Sequence, residues 1–401
     1  MVRIRAMPVW VTLLIGYAAS RALTTALLLT FSVASQHWSI AHFDGGNGVA
    51  GFLTSWDGLY YEKVAVSGYP LTLPHDTDGN VAKNAWAFLP LFPMLARALM
   101  AVTGLGFAVA GTLVATVAGG AATFALHRLL LIRFGATTAL WAALFFCFGP
   151  LSYLLEVGYA ESVFLFLMFA SLAAMMARKY GIMLPFAVFA CFAHPGGIVL
   201  AAALAVQRLA IGLRRHEPGE VRRERLREQS ARVPAPRRER ALAWTTVAVV
   251  GLAGVAWPFV AGIATGDPVA YFETETAWWR DYIGSIHFFP FTPWFVFAGH
   301  YLGGIGILIV LVVLASFIWW FIRRSTRELG TDIRAYTLSW VAYLVAVFLP
   351  QQSLFRMLLP LSPLLGHPAL SRTPRRRRIT LAVSIVLQPM GILFFWVIWP
   401  P

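Results

Sequence analysis

Trp56-Asp57-Gly58-Leu59-Tyr60-Tyr61 sets one carboxylate between a tryptophan and paired tyrosines, in a polar stretch running from Gln36 to Ala85 just after a strongly apolar segment. A carboxylate at such a border can act as a base in a site that is half aqueous and half lipid. The competing role for Asp57 is a helix N-cap or solvated loop residue beside an interfacial belt of Trp56, Tyr60 and Tyr61. Arg356 could grip two oxygens of a phosphate with its planar fork and stay charged in a poor dielectric, or it could snorkel to headgroups. Arg21 sits near the middle of the first apolar segment, where an unpaired guanidinium costs at least a few kcal/mol, so it must have a partner: a buried acid or an anionic ligand. His194, at the head of His194-Pro195-Gly196-Gly197, could bind a phosphate or a sugar, or simply satisfy a helix break. Glu161 could be a first-turn acid of an inward-running helix, hold a sugar hydroxyl, or orient Arg356. Trp278, Trp279 and Arg280 could stack on acceptor sugars or belong to an aromatic belt. No His/Cys pair appears at metal-ligand spacing, so neither a metal nor another cofactor is expected. Asp76 and Asp78 form a DxD-like pair, but Pro74 and Gly79 beside them predict a solvated turn.

The elements that must position these groups are membrane spans. Apolar residues make up 59% of the chain and charged residues 12%, outside the range of soluble globular domains and typical of an all-α polytopic membrane protein. Cys147 and Cys191 lie inside apolar segments and offer no disulfide framework. The formal charge of +14 comes from arginines clustered in short loops, a sidedness signal rather than a nucleic-acid-binding face. Three loops, Arg214 to Arg240, Arg323 to Arg334 and Arg372 to Arg378, hold 19 of the 32 basic residues and are placed in the cytoplasm. The acid-rich stretches 36–85 and 264–291 are placed outside. The whole chain, 1–401, then reads as one membrane domain of about eleven crossings. These are Pro8–Ser35, Phe107–Leu131, Thr137–Leu155, Tyr159–Ala177, Gly181–Ala193, Pro195–Leu213, Ala241–Ile263, Trp294–Ile322, Ala335–Pro350, Leu354–Gly366 and Ile379–Trp399. Trp86 to Thr103 must start and finish outside to preserve this parity, so Pro90 and Pro93 are expected to break it into a re-entrant or interfacial element. The stretch 222–240 is expected to lie on anionic headgroups.

With that sidedness, Asp44, Asp57, Glu161, His194, Asp281, His287, Gln352 and Arg356 all fall at or near the outer boundary. Glycosyl transfer from a prenyl-phosphate sugar needs a base on the acceptor hydroxyl, positive groups or donors on the leaving phosphate, and an apolar groove for the isoprenoid. Asp57 suits the first; Arg356, with His194 or Arg21, suits the second. Phe88, Pro90, Phe92 and Pro93 suit the third. Trp56, Tyr60, Tyr61, Glu161, Gln352, Trp278 and Arg280 are left for sugar or acceptor.

Several stretches together resemble the PIG-V family of mannosyltransferases, within the GT-C superfamily of polytopic glycosyltransferases. They are Ser20-Arg21-Ala22-Leu23-Thr24, Trp56-Asp57 followed by Gly68-Tyr69, Ala87-Phe88-Leu89-Pro90-Leu91-Phe92-Pro93, Gly158-Tyr159-Ala160-Glu161-Ser162, and Gln351 to Pro360 carrying Arg356. The resemblance implies a polyprenyl-phosphate-mannose donor and inverting transfer to a glycolipid or glycan on the non-cytoplasmic face of a bacterial plasma membrane, with Asp57 as base. Tyr60-Tyr61 and Ala193-His194-Pro195-Gly196 depart from the eukaryotic pattern, so a GPI precursor does not follow as acceptor. Two rivals stand: the same chemistry with another sugar or a protein hydroxyl, and a flippase for lipid-linked sugars, which would need a polar path across the bilayer.

Overall fold

The computed structural model describes residues 7–38, 48–213, 237–285 and 288–399; Asp44, His287 and the basic stretch 214–236 lie outside the described residues. Helices account for nearly all regular structure, and among the described residues no strand forms beyond one isolated bridge, His75 to Val81. The chain is an integral-membrane bundle, because six helical stretches are long and apolar enough to cross a bilayer. In chain order the helices are α1 (Val9–Ala34), α2 (Gly48–Leu53), α3 (Asp57–Ser67), α4 (Leu91–Thr103), α5 (Phe107–Arg133), α6 (Ala136–Cys147), α7 (Glu161–Met176), α8 (Tyr180–Ala193), α9 (Val199–Leu213), α10 (Arg237–Thr265), α11 (Ala270–Ile283), α12 (Pro293–Ile322), α13 (Gly330–Val347) and α14 (Pro374–Ile392).

The interior is built where α5 packs on α7, α7 on α8, α9 on α13, and α10 on α8 and α9. Phe164, Phe169, Tyr336 and Trp340 are fully enclosed there. In contrast, α12, broken at Gly303 (φ 56°) into two helical pieces so that the expected span Trp294–Ile322 is not one helix, turns outward almost everything it has, including Ile305, Leu308 and Val312, as expected of a peripheral element solvated by lipid.

Two further expected spans and the expected interfacial element take a different form, and proline explains both spans. The segment Thr137–Leu155 is not one helix: α6 ends at Cys147, and a 3₁₀ turn, Ser152–Leu155, follows Gly149-Pro150. The segment Leu354–Gly366 is a 3₁₀ run, Arg356–Gly366, in which Pro360 and Pro363 supply no N–H to sustain an α-helical ladder. The expected interfacial element begins only at Leu91, with Pro90 as its N-cap. It buries Phe92, Pro93 and Ala96, leaves Leu95 and Val102 exposed, and stops at Gly104, whose φ of 73° a side-chain-bearing residue rarely adopts.

Between Asn84 and Leu91 the loop folds back and is pinned to α11. Asn84 donates to the Thr274 hydroxyl at 2.9 Å, and Trp257 of α10 donates to the Trp86 carbonyl at 3.0 Å. Arg280 donates to the Val81 carbonyl and pairs with Asp76 at 3.5 Å, while Lys83 pairs with Asp281. The 74–82 turn and α11 therefore form one wall.

Candidate active site

Two helix N-termini converge on one guanidinium. Asp57 opens α3 and Glu161 opens α7, so each carboxylate sits where unpaired backbone N–H groups and the helix dipole favour an anion. Arg356, at the start of the 3₁₀ run, donates from Nη1 to Asp57 Oδ2 and lies 3.4 Å from Glu161 Oε1. Its guanidinium carbon also stands 5.7 Å over the Tyr159 ring. Tyr159 fixes the approach of α3 as well: its hydroxyl accepts from the Asp57 backbone N–H at 3.1 Å. Trp56, directly before the acid, is held at φ 62° by its indole bond to the Trp396 carbonyl and by packing around it. A non-glycine residue in that region stores strain of about 1–3 kcal/mol, and such strain concentrates at functional positions.

Asp57, Glu161 and Arg356 open into a cavity of about 1160 Å³. Trp56, Tyr60, Tyr61, Phe88, His194, Trp278 and Gln352, all expected at the site from sequence, line it too. Tyr60 stacks on Phe88 at 4.7 Å and meets Trp278 edge-on at 5.2 Å, making an aromatic wall; Lys63 and Lys83 lie over Tyr60 and Trp278 respectively. His194 takes the helix-break role and also lines the cavity. Its Nδ1 accepts the Gly196 N–H at 2.9 Å, closing the break between α8 and α9, and its ring stacks on Phe164 at 4.6 Å. Burial, aided by the nearby Arg356 charge, pushes its pKa down to about 3, so the imidazole is neutral, and with Nδ1 accepting, Nε2 carries the proton. The break needs its glycines, since a Cβ on Gly197 would come within 2.5 Å of the Cys191 nitrogen.

Other expected site residues are elsewhere. Arg21 does not line the cavity: it donates to the Ser152 carbonyl at 2.9 Å and the Cys147 carbonyl at 3.1 Å and pairs with Glu156 at 3.4 Å. Its partner is the buried acid, and a phosphate contact is corrected accordingly. Arg280 is spent on the 74–82 turn. Of the four groove residues only Phe88 faces the cavity; Phe92 is packed against Tyr61 and Phe107, Pro93 is buried, and Pro90 caps α4. The cavity's aliphatic and phenyl lining, its apolar arm, comes instead from Ile198, Val255, Pro258, Phe259 and Phe272. Asp76 accepts the N–H groups of Asp78 and Asn80, the turn that its neighbours predicted.

Sequence reasoning missed Glu275, along with Tyr271, Tyr282 and Tyr343, all on the cavity wall. A signal was present: Tyr271, Glu275, Trp278, Trp279 and Tyr282 recur at the spacing of one helical face. Burial pushes the Glu275 carboxyl up to about 7, against a hydrogen bond with Tyr271 that lowers it, and the neighbouring Asp57 adds to the rise.

No family profile and no curated protein sequence matches the chain. Among solved structures it is similar to ArnT from Cupriavidus metallidurans bound to undecaprenyl phosphate, at 15% identity and a TM-score of 0.47 over 91% of this chain and 62% of that one. It is also similar to the apo oligosaccharyltransferase of Archaeoglobus fulgidus, at 12% identity and a TM-score of 0.47 over 94% of this chain and 56% of that one. The chain thus spans less than two thirds of the length of either protein, and at these values the likeness assigns no activity.

Proposed function

We propose that this protein is an inverting GT-C-type glycosyltransferase that moves mannose from polyprenyl-phosphate-mannose to a hydroxyl of a membrane-associated glycolipid or glycan. The observation that carries the reading is the bond between Arg356 and Asp57, residues 299 positions apart, inside a cavity that joins aromatic walls to an apolar arm. The arginine-rich loops and the motif resemblance support a non-cytoplasmic side for this cavity.

The groups divide the work as the reaction requires. Asp57 takes the proton from the acceptor hydroxyl, and the oxygen attacks the anomeric carbon from the face opposite the phosphate. The bond from that carbon to the phosphate oxygen breaks, and its electron pair leaves on the polyprenyl phosphate. Arg356 holds that developing charge, with a neutral donor from His194 Nε2. A guanidinium has five N–H donors, so a phosphate can engage Arg356 and loosen its hold on Asp57, freeing the base only when the donor lipid is in place. The isoprenoid lies in the apolar arm between α10 and α11.

The test is transfer of label from polyprenyl-phosphate-mannose in membranes carrying the wild type or Asp57→Asn at equal expression. The variant should be inactive; turnover at the wild-type rate removes Asp57 from the chemistry and this reading with it.

A further inference from the structure

The face that α11 turns to the cavity has a composition of its own. Tyr271, Glu275, Thr276, Trp278, Asp281 and Tyr282 line the space, and since Asp281 is paired with Lys83, Glu275 is the one carboxylate of this face left among aromatic rings and hydroxyls. No cation pairs with that carboxylate among the described residues, which sets it apart from Asp57 and Glu161, both drawn to Arg356. Tyr271 hydrogen-bonds it from its own helix, and Tyr343 faces it from α13. The buried indole N–H of Trp278 finds no acceptor among the described residues, a donor left over on the same wall. Gln352 donates to the Tyr282 hydroxyl at 2.6 Å, tying this face to the segment that carries Arg356.

An isolated carboxylate has two oxygens and about four lone-pair positions, and Tyr271 uses one. What remains can accept two neighbouring hydroxyls of a pyranose, while flat rings cover the ring C–H faces and a spare N–H meets a further oxygen. A phosphate would be repelled by this acid, and a purely apolar lipid would leave it unsolvated.

We propose that this face of α11 is a saccharide subsite with Glu275 as its central sugar-binding acid, which rests on the glycosyltransferase reading for its place in the reaction. The sugar is either the one being transferred or the acceptor's own.

The experiment uses the full chain in lipid nanodiscs and two probes, methyl α-D-mannopyranoside and its gluco epimer, read by saturation-transfer NMR. The wild type should show transfer to the ring protons of at least one of them. Glu275→Gln, of equal size, should weaken that binding about tenfold or more, and Glu275→Asp should recover part of it. A thermal midpoint for Glu275→Gln at or above that of the wild type confirms that the variant is folded. Displacement of the glycoside by polyprenyl-phosphate-mannose, and not by polyprenyl phosphate alone, assigns the subsite to the donor sugar; retention with both lipids assigns it to the acceptor. Equal binding in the wild type and folded Glu275→Gln, or no binding of either glycoside to the wild type, overturns the proposal. Glu275-dependent glycoside binding in a protein that transfers no lipid-linked sugar would sink the enzymatic reading and leave the subsite standing.

Discussion

Arg21 and Arg356 make the same pair of groups do different things. Both guanidiniums meet a glutamate oxygen at 3.4 Å, and both are largely enclosed: side-chain exposure is 8% for Arg21 and 16% for Arg356. The difference lies in what else surrounds them. Arg21 is also bound by two carbonyls, Ser152 and Cys147, has Tyr17 beneath it at 5.2 Å, and does not line the cavity that holds Arg356. Its acid, Glu156, is bound in turn by Thr25. Thr24, Ser152 and Gln388 complete a polar network between α1, α14 and the 3₁₀ turn 152–155. Arg356 faces two acids with a cavity before them, and its buried Nε has no partner among the described residues. A satisfied charge holds helices together. An incompletely satisfied one, open to a cavity, can change partners, and that is what a leaving phosphate needs.

The comparison can be broken by mutation, and the largest effect should come from the acid. Asp57→Asn should lower mannosyl transfer by about 10²–10⁴-fold while leaving the thermal midpoint close to that of the wild type, measured by labelled-sugar transfer and by detergent-phase unfolding. Arg21→Met should do the reverse, because it strands Glu156 in an apolar interior: a stability loss of about 3–5 kcal/mol is expected, and Arg21→Met with Glu156→Gln should recover part of it. If Arg21→Met folds normally and only its affinity for the donor falls, the two sites have been assigned the wrong way round. Arg356→Lys keeps the charge but not the fork, and should cut transfer roughly tenfold to a hundredfold through a higher KM for the donor lipid, since a charge-assisted bond is worth about 1.5–3 kcal/mol.

A subtler difference is pH dependence at Glu275. Its carboxyl is raised from the ordinary 4.5 to about 7, and the groups facing it are Tyr271 on its own helix, Tyr343 of α13, Asp57 of α3 and Arg356. Between those two values the folded chain keeps a proton that the unfolded chain has released, so Glu275 makes stability fall as pH rises through that window. Glu275→Gln should flatten that decline and be the more stable protein above pH 7, as followed by thermal unfolding across buffers. The smallest effect expected is that of Tyr282→Phe, which removes one hydrogen bond to Gln352 and about 0.5–1.5 kcal/mol, and should appear as a modest rise in KM.

Sequence alone determined the solvent of this protein and much of its helical layout. A chain that is 59% apolar, with long unbroken apolar runs and its arginines gathered in loops, folds as membrane-crossing helices, because a helix satisfies its own backbone polar groups in a bilayer and a barrel strand would alternate in polarity. It also determined that Arg21 needs a partner and that Asp57 and Arg356 belong to a common boundary. Which acid goes with which arginine was decided only by tertiary packing. Glu156 and Arg21 are 135 positions apart and Arg356 and Asp57 are 299 apart, and nothing in local spacing encodes those pairings. Tertiary packing likewise turned Phe92 and Pro93 into core and left the apolar arm to α10. It also raised Glu275 from one of several loop acids to a group on the cavity wall. A side chain's type fixes the chemistry it can do, but its charge state and its access to a ligand depend on neighbours that arrive from elsewhere in the chain.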